Sequence, residues 1–189
     1  MGGTDPDILA SVSLDDLIWT VEGVGDLVVD YVHAEAWIRA IRSHATVTQT
    51  VLSLVPDRGM VDLALLKSET TIQAVDAAAR DLLSVAGGRP WWVVVNIVSV
   101  AAASWEHVGG ELALRGVRAW EMPLGAWLDA AWATMFSIVA KGAAHDEDPG
   151  KLDRWRSDML RRPSGPAGAD DGGMDEAEFD AAMAAMSVL

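Results

Sequence analysis

The sequence predicts an all-α fold: a compact bundle of about six to eight helices around two apolar, tryptophan-rich helices, with a linker and a C-terminal tail helix. Three observations predict it. Residues 89–141 hold six of the nine tryptophans and read as two very apolar helices joined by a short charged connection. Elsewhere apolar residues recur at spacings of three and four, the period of a helix with one covered face. Helix start and stop signals punctuate those runs: Ser or Thr with an acid or Gln three residues on, then paired glycines.

At 189 residues, 51% of them hydrophobic, the chain suits one domain with a substantial core plus a tail. The expected divisions are a flexible N-terminus at 1–12, a helical domain at 13–162, a flexible linker at 163–173 and an amphipathic helix at 174–189. The formal charge is −14 and unevenly placed. Residues 1–35 carry eight acids and no Lys or Arg; 36–141 carry nine of each sign; 142–189 carry eleven acids and five bases. A balanced middle with acidic ends argues against nucleic acid, which needs a basic surface, and against anionic membrane surfaces. There is no cysteine, which removes disulfides, thiolate metal sites and Cys nucleophiles. The first residues are acidic and lack the apolar run of a secretory signal.

Taken in order, Ser13 and Asp16 open a short helix with Leu14, Leu17, Ile18 and Val21 on one face, ended by Gly23 and Gly25. Leu27, Tyr31, Ala34, Ile38 and Ile41 form the stripe of a second helix running to Ser43; a strand at 27–32 competes, because Val-Val and Tyr-Val favour sheets. Thr46 and Gln49 make a capping box before Val51, Leu52 and Leu54. After the break at Pro56–Gly59 comes a short apolar helix with Leu63, Ala64 and Leu66. Thr70 and Gln73 start the next, whose stripe is Ile72, Val75, Ala79, Leu82 and Leu83; Gly87 and Gly88 stop it.

Pro90–His107 reads as one helix, apolar nearly all round, with a single polar stripe at Asn96, Ser99 and Glu106. Its uninterrupted part, 91–104, is shorter than the roughly 20 residues of a membrane span. Gly109 and Gly110 loosen the chain, and Gly116 interrupts it. The second apolar helix follows Pro123 to Ala140, with Ala126, Ala130, Ala133 and Ser137 as a seam for close packing and Leu124, Trp127, Leu128, Ala131, Met135 and Ile138 opposite; Asp129 interrupts it. A polar break at 142–150 precedes a short helix carrying Leu152, Trp155 and Met159 on one face. In the tail helix, Phe179, Met183 and Met186 fall at i, i+4 and i+7.

No pattern speaks for catalysis, cofactor or metal. The four histidines, His33, His44, His107 and His145, lack the i, i+4 pairing of helical zinc sites. His145–Asp148 reads as a solvated loop ahead of a weak cation site, and Asp170–Asp175 lacks the alternating ligands of a calcium loop. No Gly-x-Ser-x-Gly elbow or phosphate loop is present. The stripe of Phe179, Met183 and Met186 on an acidic, tethered helix is the candidate partner-binding feature. The competing readings are that the helix docks on its own domain or is simply frayed.

The stretch from Pro90-Trp91-Trp92 through Ser104-Trp105-Glu106, Gly110-Glu111-Leu112-Ala113-Leu114-Arg115-Gly116-Val117 and Pro123-Leu124-Gly125-Ala126-Trp127-Leu128-Asp129-Ala130 resembles the tail assembly chaperones of siphophages of GC-rich hosts. The resemblance covers about residues 68–141 and leaves the first 60 unplaced. It implies a small helical protein of the host cytoplasm, without catalysis, that coats the long tape-measure protein and keeps it soluble while the tail tube assembles. The partners it implies are the tape-measure protein, further copies of the chain and a frameshifted long isoform. The alternative is a small two-span membrane protein of holin type, with spans at 91–104 and 123–140; the short first segment and Asp129 count against it.

Overall fold

A computed structural model of the chain describes residues 17–29 and 33–162. The expectations for 1–12, 163–173 and 174–189, and the capping pair at Ser13 and Asp16, lie outside the described residues. In chain order the elements are strands β1 (Leu17–Val21) and β2 (Gly25–Val29), then helices α1 (Ala34–Ser43), α2 (Val47–Leu52), α3 (Gly59–Leu66), α4 (Ile72–Gly87), α5 (Trp91–Ala103) and α6 (Trp105–Leu114). A 3-10 turn at Ala119–Glu121 leads to α7 (Leu124–His145) and α8 (Lys151–Leu160).

A helix apolar on nearly every side has to be covered on every side. α5 is: α1, α4, α6, α7 and α8 all pack on it, and Trp92, Val93, Val94, Ile97, Val98 and Ala101 are buried. α7 touches α1, α4, α5, α6 and α8, so the two tryptophan-rich helices form the hub of one continuous core. The fold is the expected helical bundle, with eight α-helices among the described residues and one small sheet.

That sheet corrects the reading of residues 17–29. Instead of one helix and the start of another, they form an antiparallel hairpin with Trp19 opposite Leu27 and Ile18 opposite Val28. The period decides it. Trp19, Val21, Leu27 and Val29 are buried while Ile18, Thr20 and Val28 are exposed, an alternation of two that no helix produces. The glycines read as a helix stop make the turn: Gly23 and Gly25 have φ of +79° and +97°. At Gly23 a Cβ would lie 1.8 Å from the Glu69 carbonyl oxygen, so the turn seats directly on the α3–α4 loop. The second helix therefore begins only at Ala34, whose N–H donates to the Met122 carbonyl at 3.0 Å.

Other boundaries followed the expected chemistry, some with shifts. Thr46 caps α2 by accepting from Gln49 N. The next cap falls on Thr71, which accepts from Ala74 N, one residue beyond the expected Thr70. The run from Pro90 to His107 is two helices broken at Ser104, and Gly109 and Gly110 lie inside α6. The bend lets Val108 and Leu112 turn back onto α7. α7 runs five residues past Ala140, to His145. Its expected buried face is in place, but the small-residue seam is only partly used in packing: Ala126 and Ala133 are exposed, Ser137 is half-buried and Ala130 packs against the core. Asp129, read as an interruption, pairs with Arg89 in the α4–α5 connection.

The close approach lies elsewhere. Gly88, with φ +62°, is the left-handed stop of α4. Gly87, still helical, is there for space: a Cβ would sit 2.4 Å from Val94 Cγ2 and 3.2 Å from Leu128 Cδ1. The end of α4 thus touches the starts of α5 and α7 at one point. Ser84 of α4 accepts from Trp91 N at 3.0 Å, capping α5 across the connection.

The polar stripe of α5 has a use. Asn96 Nδ2 donates to the Met159 and Arg161 carbonyls at 2.9 and 3.2 Å, and Trp92 Nε1 donates to the Leu160 carbonyl at 3.2 Å. These carbonyls belong to the last residues of α8 and its C-cap Arg161, which the helix itself leaves unbonded. Trp155 meanwhile stacks on Trp132, with ring centroids 4.8 Å apart.

Gly87→Ala is expected to lower stability by about 1–3 kcal/mol, the cost of overpacking a filled site exceeding alanine's better helix propensity. Thermal unfolding checks it; an unchanged midpoint would show that the junction relaxes freely. Thr134 on α7 is fully buried, and its Oγ1 has no hydrogen-bond partner among the described residues. Replacing it by valine of the same shape is expected to add about 1 kcal/mol, raising the midpoint by about 2–4 °C.

Candidate functional site

The break at Ser104 does more than bend the chain. It places Trp105 at the first position of α6, at the edge of a groove between α6 and α1. The groove holds about 610 Å³. Val98 of α5, Ile38 of α1, Leu112 of α6 and Trp127 of α7 line it, flanked by Trp105 and by Trp120 of the 3-10 turn. Glu35, Arg39 and Arg42 from the polar side of α1 also contribute.

Two large apolar side chains are left facing water here: Trp105 is 49% exposed and Trp120 57%. Each is held by local chemistry. The Trp105 ring lies on Gly109, where a Cβ would stand 2.7 Å from Cε2. Residues four apart share a helix face, and the absent side chain lets the indole lie against the backbone. Trp120 sits in a turn tied by the Arg118–Glu121 ion pair at 3.0 Å. Ion pairs this exposed contribute little to stability, but they limit the turn's conformations.

The charges sit on one side. Arg39 is paired with Glu35 at 2.7 Å, one helical turn away, whereas Arg42 has no acidic partner among the described residues. The groove therefore combines apolar and aromatic surface with an arginine that meets no acid among the described residues.

No group of three metal-ligating side chains converges among the described residues. Two of the three acids of the His145–Asp148 segment, Asp146 and Asp148, are taken up locally. Asp146 pairs with Lys151 at 2.6 Å, Asp148 with Arg154, and Asp148 also accepts from Gly150 N at 3.1 Å. They bind the start of α8 to the end of α7. No single described helix is long and apolar enough to cross a membrane; α4 and α5 together pass on length and composition but are bent by 64°.

The sequence-derived candidates Phe179, Met183 and Met186 lie outside the described residues. Sequence reasoning missed the groove because it placed Trp105 inside the apolar 90–107 helix and gave Trp120, in the connection before Pro123, no role. The available signal was their neighbours: Ser104 and Glu106 flank one, Ala119 and Glu121 the other. A second apolar surface also escaped it. Met60, Leu63 and Leu66 stand exposed on α3 at spacings of three. Compared with known protein families, curated proteins and solved structures, the chain matches none.

Gly109→Ala is expected to keep the fold, because alanine favours the helix by up to about 1 kcal/mol, while displacing the Trp105 ring. In a proton–nitrogen correlation spectrum the Trp105 indole signal should move and those of buried Trp19 and Trp37 should stay. A stationary Trp105 signal would rule out the ring-on-glycine contact.

Proposed function

We propose that this chain is a non-catalytic assembly chaperone that receives an apolar helical stripe of a long partner protein in the groove between α1 and α6. Its closest functional description is a phage tail assembly chaperone. The partner is then the tape-measure protein, kept soluble in the host cytoplasm by copies of this chain and of a frameshifted long form. The observation that carries the reading is the pair of exposed tryptophans beside an apolar groove, since tryptophan is the residue most enriched where a few side chains dominate binding. Trp105, Leu112, Trp120 and Trp127 all come from the 68–141 stretch that carries the resemblance.

The physics of such a client supports the reading. A very long helical protein exposes apolar stripes until it is enclosed, and a binder must cover them yet leave. An apolar stripe laid in a groove gains about 25 cal/mol per Å² buried, offset by the cost of association. The balance is reversible binding. The acidic ends of this chain (eight acids against no Lys or Arg in residues 1–35) would keep a coated client in solution.

Co-expression with the tape-measure protein tests the proposal. The wild-type chain should hold it in the soluble fraction and co-elute with it. Trp105→Ala and Trp120→Ala should each weaken that association by about 2 kcal/mol or more, the range of a dominant interface side chain, with thermal midpoints unchanged. A client equally soluble without the chain would remove the chaperone reading. Co-elution unaffected by either substitution would move binding off this groove.

A further inference from the structure

We infer that the groove between α1 and α6 is also the docking site of the chain's own C-terminal segment, residues 174–189, which competes there with the partner. The inference rests on reading the groove as a receptor for an apolar-striped helix, and adds what regulates it.

Three observations select this occupant. The first is chemistry. Phe179, Met183 and Met186 fall at i, i+4 and i+7, a single helical stripe suited to a groove lined by Ile38, Leu112, Trp105 and Trp120. Methionine is unbranched and polarizable and packs well on aromatic rings. The second is charge. Residues 163–189 carry six acids and no Lys or Arg, while the groove presents Arg42 without an acidic partner among the described residues and Arg39 paired only to Glu35. Asp175, Glu178 and Asp180 border the stripe and would meet that edge.

The third is reach. The end of α8 is anchored on α5 by the Asn96 and Trp92 hydrogen bonds, so the segment departs from a fixed point on the hub. Residues 163–178 lie between that anchor and Phe179. Sixteen residues extend to at most about 50 Å, several times the roughly 15 Å radius of gyration of a domain this size. A tether of this kind holds its end at an effective concentration of order millimolar. Docking with a dissociation constant near a millimolar therefore suffices to occupy the groove half the time, while a tighter partner helix displaces it.

The absence of cysteine from the chain makes the test direct. Ala113 is an exposed groove residue of α6, and Ala77 is an exposed residue of α4 outside the groove. The full chain carrying Ala113→Cys and Ala182→Cys is oxidised mildly, beside one carrying Ala77→Cys and Ala182→Cys. The groove pair should close an intramolecular disulfide at least about tenfold faster, the gain expected when docking adds to tethering. Serine at 179, 183 and 186 should return it to the control rate. Equal rates for the two pairs, or disulfides formed only between chains, overturn the inference. The receptor reading is scored separately, with a synthetic amphipathic peptide bearing a Leu/Met stripe added to the full chain with serine at 179, 183 and 186. Loss of peptide binding on Trp120→Ala upholds that reading whatever the disulfides show, and no binding at all removes it together with the inference.

Discussion

The bundle depends on one crossing. At Gly87 the end of α4 meets Val94 of α5 and Leu128 of α7 with no room for a methyl group. Gly125 of α7 completes the approach, its missing side chain facing the Gly87 carbonyl at 3.5 Å. Three helices converge where Gly87 leaves room for α5 and α7 against α4, while β1 and α2 pack on α4 itself. Paired glycines after an apolar run read as a helix stop, and Gly88 is one. Gly87 beside it serves a different constraint, and local sequence does not separate the two, because a steric vacancy is defined by residues 7 and 41 positions away.

The same distinction governs how much of the fold was legible. Helix existence was readable wherever one face alone is buried, as in α4, where Val75, Ala79, Leu82 and Leu83 all reach the core. Capping chemistry located the start of α2 to the residue. Legibility failed in two physical situations. In residues 17–29, Leu17, Ile18 and Val21 fit a helical face and Trp19, Val21, Leu27 and Val29 fit a strand face; only the hairpin partner and the support of α4 choose the strand. In α5 and α7, apolar residues lie on most sides, so the pattern carries little direction. Of the Ala126–Ser137 seam, Ala126 and Ala133 face outward because Leu128 and Trp127 claim the core side, while Ala130 packs against the core.

The groove was the least legible feature, for a related reason. Tryptophans look alike in sequence whether buried or exposed. Trp19, Trp37 and Trp127 are almost wholly enclosed, and Trp92 and Trp132 nearly so. Against that background Trp105 and Trp120 are exceptions created by structure: a helix break at Ser104 and a 3-10 turn held by an ion pair. A chain that buries most of its tryptophans has the capacity to bury more. The two left at one groove therefore point to a use for that surface that the fold alone does not require.

The charge distribution acquires a meaning from this placement. Residues 36–141, which are electrically balanced, contain every side chain that lines the groove except Glu35. An exposed apolar groove in a neutral setting favours self-association, since nothing repels a second copy. The strong negative charge is carried outside that stretch, by residues 1–35 and 142–189. Several of the latter acids pair with α8 bases, but the six beyond residue 162 have no Lys or Arg among their sequence neighbours in that segment. Repulsion between acidic segments is a long-range force that salt weakens over about 8–10 Å, whereas groove binding is short-range and largely indifferent to salt. Separating the two lets a sticky surface remain available to a matching helix while copies of the chain hold one another apart.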